Sequence, residues 1–225
     1  IEVTFDASGT RMNGMYLHTY LLEKVRVVAP GAAERTYHVF YAMLAGASAA
    51  ERQEWGIRSS QDHQLTSRTA ASNTAAAAQG SAETYRALRQ AMSVLTVRSE
   101  EQIDLLGIVA AILHLRDVRF EPLEDEEGCR PKGSAALAAA SRLLGCPGIA
   151  LRLVQRVVQS GRQEPITVTL SAEQASSARD SLCKALYVAA FKHICTRFNE
   201  AAVGVGSTVR GEQQPLYGSG GRKRG

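Results

Sequence analysis

Long apolar runs are missing from this chain. The longest uninterrupted one, Leu105 to Leu113, falls far short of the roughly 20 residues that span a bilayer, so no membrane segment is expected. An excess of one charge is missing too. The 26 basic and 22 acidic residues leave a net +4, part of it in the terminal Arg222-Lys223-Arg224, which is too mild to argue for nucleic acid. Basic and aromatic residues do not interleave on any one element, which removes a stacking platform for RNA. The four cysteines (Cys129, Cys146, Cys183, Cys195) form no C-x-x-C pair and have no histidine nearby at metal spacing. Cys183 and Cys195 share one expected helix and stand about 18 Å apart on it, too far to bridge, so reduced thiols are expected. The chain opens inside a strand-like IEVTF with no signal-peptide pattern. These absences together predict a soluble, cytoplasmic protein.

What is present is an ordinary globular composition, 45% hydrophobic and 21% charged over 225 residues. That is long enough for one large domain or two small ones with a real core. Ile1, Val3 and Phe5 alternate with Glu2 and Thr4, the pattern of a half-buried strand. Asp6 to Gly9 is turn chemistry and Asn13-Gly14 a second bend, which predicts a hairpin whose second strand runs from Met15 to Leu21. A helix is expected from about Glu34 to Leu44, stopped by Gly46, with Tyr37, Phe40, Tyr41 and Leu44 on one face. Ala47 to Trp55 should add a turn or two. Arg58 to Ser81 has no periodicity and reads as a long loop.

Further helices are expected over Ala82–Leu95, Ser99–Leu115, Ser134–Leu144 and Gly148–Val154, with Glu121 to Gly133 an acidic loop between the second and third. Val157 to Thr169 reads as two short β-rich pieces around Ser160 to Pro165. Ser171 to Ala202 holds no glycine or proline and forms the longest helix. Ser99 with Gln102, and Ser171 with Gln174, have capping-box spacing. After Gly204 the composition turns to Gly, Ser, Gln and Arg, a flexible tail over 204–225.

Three blocks carry more than periodicity. Thr19 to Gly46 reads TYLLEKVRVV, a short break, then ERTYHVFYAMLAG. Glu101 to Phe120 reads EQIDLLGIVAAILHLRDVRF. Ser171 to Asn199 reads SAEQASSARDSLCKALYVAAFKHICTRFN. In this order and register they resemble the myosin motor domain, where the corresponding stretches read roughly ETYLLEKSRVV and ERNFHIFYQLLAG, then ILAAILHLGNI, then ARDALAKALY. The resemblance covers most of residues 1–203 and points to an unconventional myosin. It departs from the pattern at Val25, where the family has Ser, and at Arg116-Asp117, where it has Gly-Asn; Arg58 to Gln79 matches poorly.

The resemblance implies a mainly α chain with a β-hairpin, an incomplete piece of the α/β P-loop motor. That piece comprises the upper subdomain with two transducer strands, between the nucleotide-sensing loops switch I and switch II. It also implies an actin filament and the remainder of the motor domain as partners, a cytoskeletal setting, and ATP with Mg in the complete motor. This chain is expected to bind neither. It contains no Gly-Lys dipeptide and hence no phosphate-binding loop. Asp6-Ala7-Ser8-Gly9 has D-x-x-G spacing but falls in a hairpin turn. Whether the chain belongs to an ATPase or to a non-catalytic, myosin-derived actin-binding or scaffolding protein stays open at this point.

By resemblance, Val157–Thr169 corresponds to the surface loop named for cardiomyopathy mutations. Glu164, sixteen residues before Asp180, stands at the position that calls for an acidic or phosphorylatable residue. Arg156 and Arg162 flank it. Glu121–Gly133, with Lys132, corresponds to loop 4, a secondary actin contact. These four residues (Arg156, Arg162, Glu164, Lys132) are the candidate actin-binding set. His114 lies on an apolar helix with no second ligand nearby and is expected to be packed or capping. Glu23 and Lys24, adjacent on an expected strand, point to opposite faces and read as structural rather than catalytic.

Overall fold

The computed structural model describes residues 1–31, 34–67, 75–124, 127–159 and 164–203. In chain order the elements are β1 (Glu2–Phe5), β2 (Met12–Tyr16), a 3₁₀ turn (Lys24–Val27), α1 (His38–Gly46), α2 (Ala49–Trp55), α3 (Ala75–Val94) and α4 (Ser99–Asp117). There follow β3 (Arg119–Pro122), β4 (Cys129–Lys132), α5 (Ser134–Leu143), α6 (Ile149–Val154), β5 (Gln155–Val158), β6 (Ile166–Thr169) and α7 (Ala172–Val203). The described strands form three separate antiparallel pairs, β1–β2, β3–β4 and β5–β6. The protein is thus mostly helical with small strand pairs. Two compact units divide the chain, residues 19–197 and residues 1–18 with the stretch from Phe198 onward.

In the larger unit the core forms around α4. Nearly every residue from Leu105 to Leu115 is buried, because the helix is apolar on all its faces and has none to offer to water. Around it lie Phe40 and Met43 of α1, Trp55 of α2, Tyr85 and Met92 of α3, and Leu137 of α5. Gly46 is required where α1 meets α3, since any Cβ there would collide with the Tyr85 ring. Gly56 ends α2 in the left-handed region at φ +65°, a conformation glycine adopts without strain. A polar network ties three helices. Glu51 accepts from the Tyr85 hydroxyl (2.9 Å) and from Arg89 (2.5 Å), and Arg89 reaches on to Gln102 (2.7 Å). All four cysteines are free thiols. Burial pushes Cys183 up to about 12 and also raises Cys129 and Cys195.

In the smaller unit β1 pairs with β2 through Glu2↔Tyr16 and Val3↔Met15, with an irregularity between Thr4 and Phe5. Asp6 organises the turn, accepting from the Ser8 hydroxyl (2.8 Å) and the Thr10 and Arg11 N–H groups. The Ser8 hydrogen bond, and then the backbone ones, hold its carboxyl below the usual range. The Asn199 side chain brackets Leu17, accepting its N–H (2.7 Å) and donating to its C=O (3.1 Å), as a neighbouring strand would.

Several expectations need correction. The second strand is Met12–Tyr16 rather than Met15–Leu21. Asp6 fixes the turn early, so Asn13-Gly14 lies inside the strand, and Tyr20 and Leu21 are fully exposed beyond it. Glu23 and Lys24 are not on a strand. Lys24 opens the 3₁₀ turn, and Glu23 pairs with Arg26 at 2.8 Å. The expected loop 58–81 contains the start of α3, at Ala75; residues 68–74 lie outside the described residues. Ser99 and Gln102 form no capping box. Gln102 turns inward to the Val97 carbonyl (2.9 Å) and the Ser93 hydroxyl (3.1 Å). The acidic loop 121–133 is largely the β3–β4 hairpin, with residues 125–126 outside the described set. The tail at 204–225 lies outside it as well. The Ser171–Gln174 box does form, in both directions (3.1 and 3.2 Å).

Candidate functional site

β-Branched residues dominate Val157, Val158, Ile166, Thr167, Val168 and Thr169 and favour extended backbone. The two strands pair in the register Arg156↔Val168 and Val158↔Ile166. Little of this ribbon is covered, a property it shares with the β1–β2 hairpin. Val157 is 68% exposed and Ile166 58%, one on each strand, facing Thr167 and Val158 respectively. Its root, by contrast, is fixed. Leu170 donates its N–H to the Val154 carbonyl at 2.8 Å and buries its side chain with Cys129 and Ala175. Phe120, Val154, Ala172 and Ala178 pack against that cluster. One apolar cluster therefore seats the β5–β6 ribbon, the β3–β4 hairpin and the first turns of α7. Thr169 lies directly against Gly128 within it.

The candidate residues distribute over these two hairpins. Arg156 is exposed on β5, and Glu164 is exposed just ahead of Pro165 and β6. Arg162 lies outside the described residues. Lys132, on β4, is engaged within its own hairpin, where Glu121 accepts from it and also faces Arg130 at 3.8 Å. The Lys132 hydrogen bond holds the Glu121 carboxyl below the usual range. Among the described residues no ion pair links Lys132 to Glu164, and the two stand on separate hairpins that share a root.

Sequence reasoning passed over what lies beneath that root. Arg116 reaches from the end of α4 to the Asp180 carboxylate of α7. Arg179 contacts the same oxygen through Nε (2.8 Å) and Nη2 (2.7 Å), and its Nη1 donates to the Val118 carbonyl (2.5 Å). Both arginines are buried. The neighbouring Asp117 turns the other way, accepting from the buried His63 Nδ1 and the Gln64 N–H, each at 2.7 Å. The departure at Arg116-Asp117 was the available signal. His114 is packed as expected, its Nε2 bonded to the Trp55 carbonyl at 2.8 Å. Burial chiefly lowers its pKa.

The family model described as "Myosin head (motor domain)" matches residues 1–209. This chain belongs to the myosin head family. Among its myosin relatives are "Unconventional myosin IC" of Drosophila melanogaster, 35% identical over 201 residues, and "Myosin-1" of Arabidopsis thaliana, 31% identical over 213. "Myosin IB heavy chain" of Dictyostelium discoideum is 29% identical over 210. These alignments cover 88%, 93% and 89% of this chain but only 19%, 18% and 18% of the respective relatives. The chain thus spans about a fifth of the length of these three myosins.

Mg·ATP does not fit the residues described. Asp6 is consumed by its own turn, no Gly-Lys phosphate loop exists in the sequence, and no cluster of three His, Cys, Asp or Glu residues suited to a metal occurs among the described residues. No helix among the described residues is long and apolar enough to cross a membrane.

Proposed function

We propose that this chain is the segment of an actin-based, ATP-driven cytoskeletal motor lying between switch I and switch II. It contributes the actin-facing hairpins and two transducer strands, and no group that contacts nucleotide. The observation that carries the reading is the β5–β6 ribbon, which is rigidly rooted at Leu170 yet exposed along both strands. An apolar, β-branched ribbon left open to solvent on a fixed base is what a protein-binding surface needs. The family membership supplies the class of partner. ATP and Mg belong, in this reading, to the rest of the motor domain, which is itself a partner of this chain.

Glu164 supplies permanent negative charge on that surface, where a hydroxyl residue would need a phosphate. Exposed rim charges act mainly on association rate and salt dependence. Glu164→Ala in the complete motor should therefore lower actin-activated ATPase several-fold at low salt, with basal ATPase unchanged and Glu164→Asp close to the parent. Equal activation of parent and Glu164→Ala at low salt would remove the assignment of this ribbon.

A further inference from the structure

We propose that Arg116 is a positioning residue for the β5–β6 ribbon, setting its angle to the filament by fixing the first turns of α7 to the end of α4. The proposal rests on the assignment of that ribbon to the actin interface. The ribbon is little covered along its strands: among its described residues none is fully buried, and only at its base does Thr169 lie against Gly128. Its direction is inherited from its root, where Leu170 packs on Ala175 and Cys129 and the Ser171 box starts α7 without slack. What holds those first turns in place is then decisive. Two cross-links do so. Arg179 of α7 donates to the Val118 carbonyl, and Arg116 of α4 reaches back to Asp180 of α7. Arg179 and Asp180 are neighbours on one helix, so their contact joins nothing distant. Arg116 supplies the only side-chain ion pair between α4 and α7 near the root, among the described residues.

The energetics argue for placement over stability. Two guanidinium groups share one carboxylate oxygen, which leaves a buried excess of positive charge. The Arg116 Nε is buried with no acceptor among the described residues. Buried ion pairs recover their desolvation cost only when geometry and remaining hydrogen bonds are complete, and here they are not. The glycine that stands here in the family pattern cannot form the contact at all. An arginine retained at this cost fits a role in orientation.

The test uses the complete motor carrying Arg116→Gly, Arg116→Lys or Glu164→Ala, with basal and actin-activated ATPase and amide hydrogen exchange of β5 and β6. Arg116→Gly should raise the actin concentration for half-maximal activation about two- to thirty-fold, the range over which coupling through packed side chains acts. Maximal and basal rates should stay unchanged, and exchange in the ribbon should quicken. Arg116→Lys, which keeps one charged donor, should recover most of the parent value. If Arg116→Gly fails to fold, Arg116→Gln is read by the same criteria. An unchanged half-activation concentration overturns the positioning role, as does a parallel loss of basal activity, which would mark general destabilisation. A shift in Glu164→Ala with none in Arg116→Gly removes the positioning role alone. No shift in either removes the ribbon's assignment with it.

Discussion

Between Leu105 and Leu115, α4 buries nearly every side chain it has, whereas the β5–β6 ribbon buries none of its described residues fully. The polar groups differ in the same way. On α4, Gln102, His114 and Asp117 are answered inside the protein by Val97, Trp55 and His63, and Arg116 reaches Asp180 while its Nε stays without an acceptor among the described residues. On the ribbon, Arg156 and Glu164 form no ion pair among the described residues. A buried polar group left unpaired costs more than a hydrogen bond returns, and the helix satisfies all of these groups within the protein except the Arg116 Nε. The ribbon has no such constraint, because water satisfies its exposed polar groups.

The largest effect that can break this comparison comes from the packing side. Trp55 is 1% exposed, and Trp55→Ala should cost about 3–5 kcal/mol through lost transfer energy and a cavity. Val157, 68% exposed, should lose no more than about 0.5 kcal/mol on becoming alanine. Denaturant midpoints of the two variants measure the contrast directly, and comparable shifts would mean the ribbon is covered in solution.

A middle-sized effect belongs to Asp117. Removing its carboxylate strands the buried His63 Nδ1–H and the Gln64 N–H, and a stranded donor costs about 1–3 kcal/mol. Asp117→Ala should fall in that range by equilibrium unfolding. Asp117→Asn keeps one acceptor oxygen and should lose less. If the two substitutions cost the same, the carboxylate is not serving both donors.

The smallest effect is local. Asn199→Ala removes the two hydrogen bonds to Leu17, each worth about 1 kcal/mol net. The global unfolding midpoint should hardly move while the Leu17 amide exchanges faster. A matching loss of global stability would show that the hairpin of β1 and β2 melts together with the helices.

How much of this was legible in the sequence depended on distance along the chain. Ser171 and Gln174 satisfy each other three residues apart, and both that cap and the long helix it starts were readable. Ser99 and Gln102 have the same spacing, yet the cap is absent. Gln102 found Val97 and, from α3, Ser93 and Arg89, and contacts supplied by another helix leave no local trace. The β5–β6 pair was visible in its β-branched alternation, and the family in the register of its three blocks. The position of β2 was not, because it depends on how Asp6 gathers the turn. Of the candidate site, Arg156 and Glu164 could be placed from sequence, and Lys132 was named without its Glu121 partner. The Arg116–Asp180–Arg179 cluster spans more than sixty residues, and only the odd residue pair after the LHL hinted at it.

The four thiols described above have a practical consequence. Cys129, Cys183 and Cys195 are buried with their pKa values raised, while Cys146 is half-exposed between α5 and α6. Thiolate is the nucleophile in alkylation, so burial and raised pKa values withhold three of the sulfurs, and Cys146, partly buried against the core, is the least covered. Cys146 is therefore the native thiol at which an optical reporter should attach first, on the connection between α5 and α6.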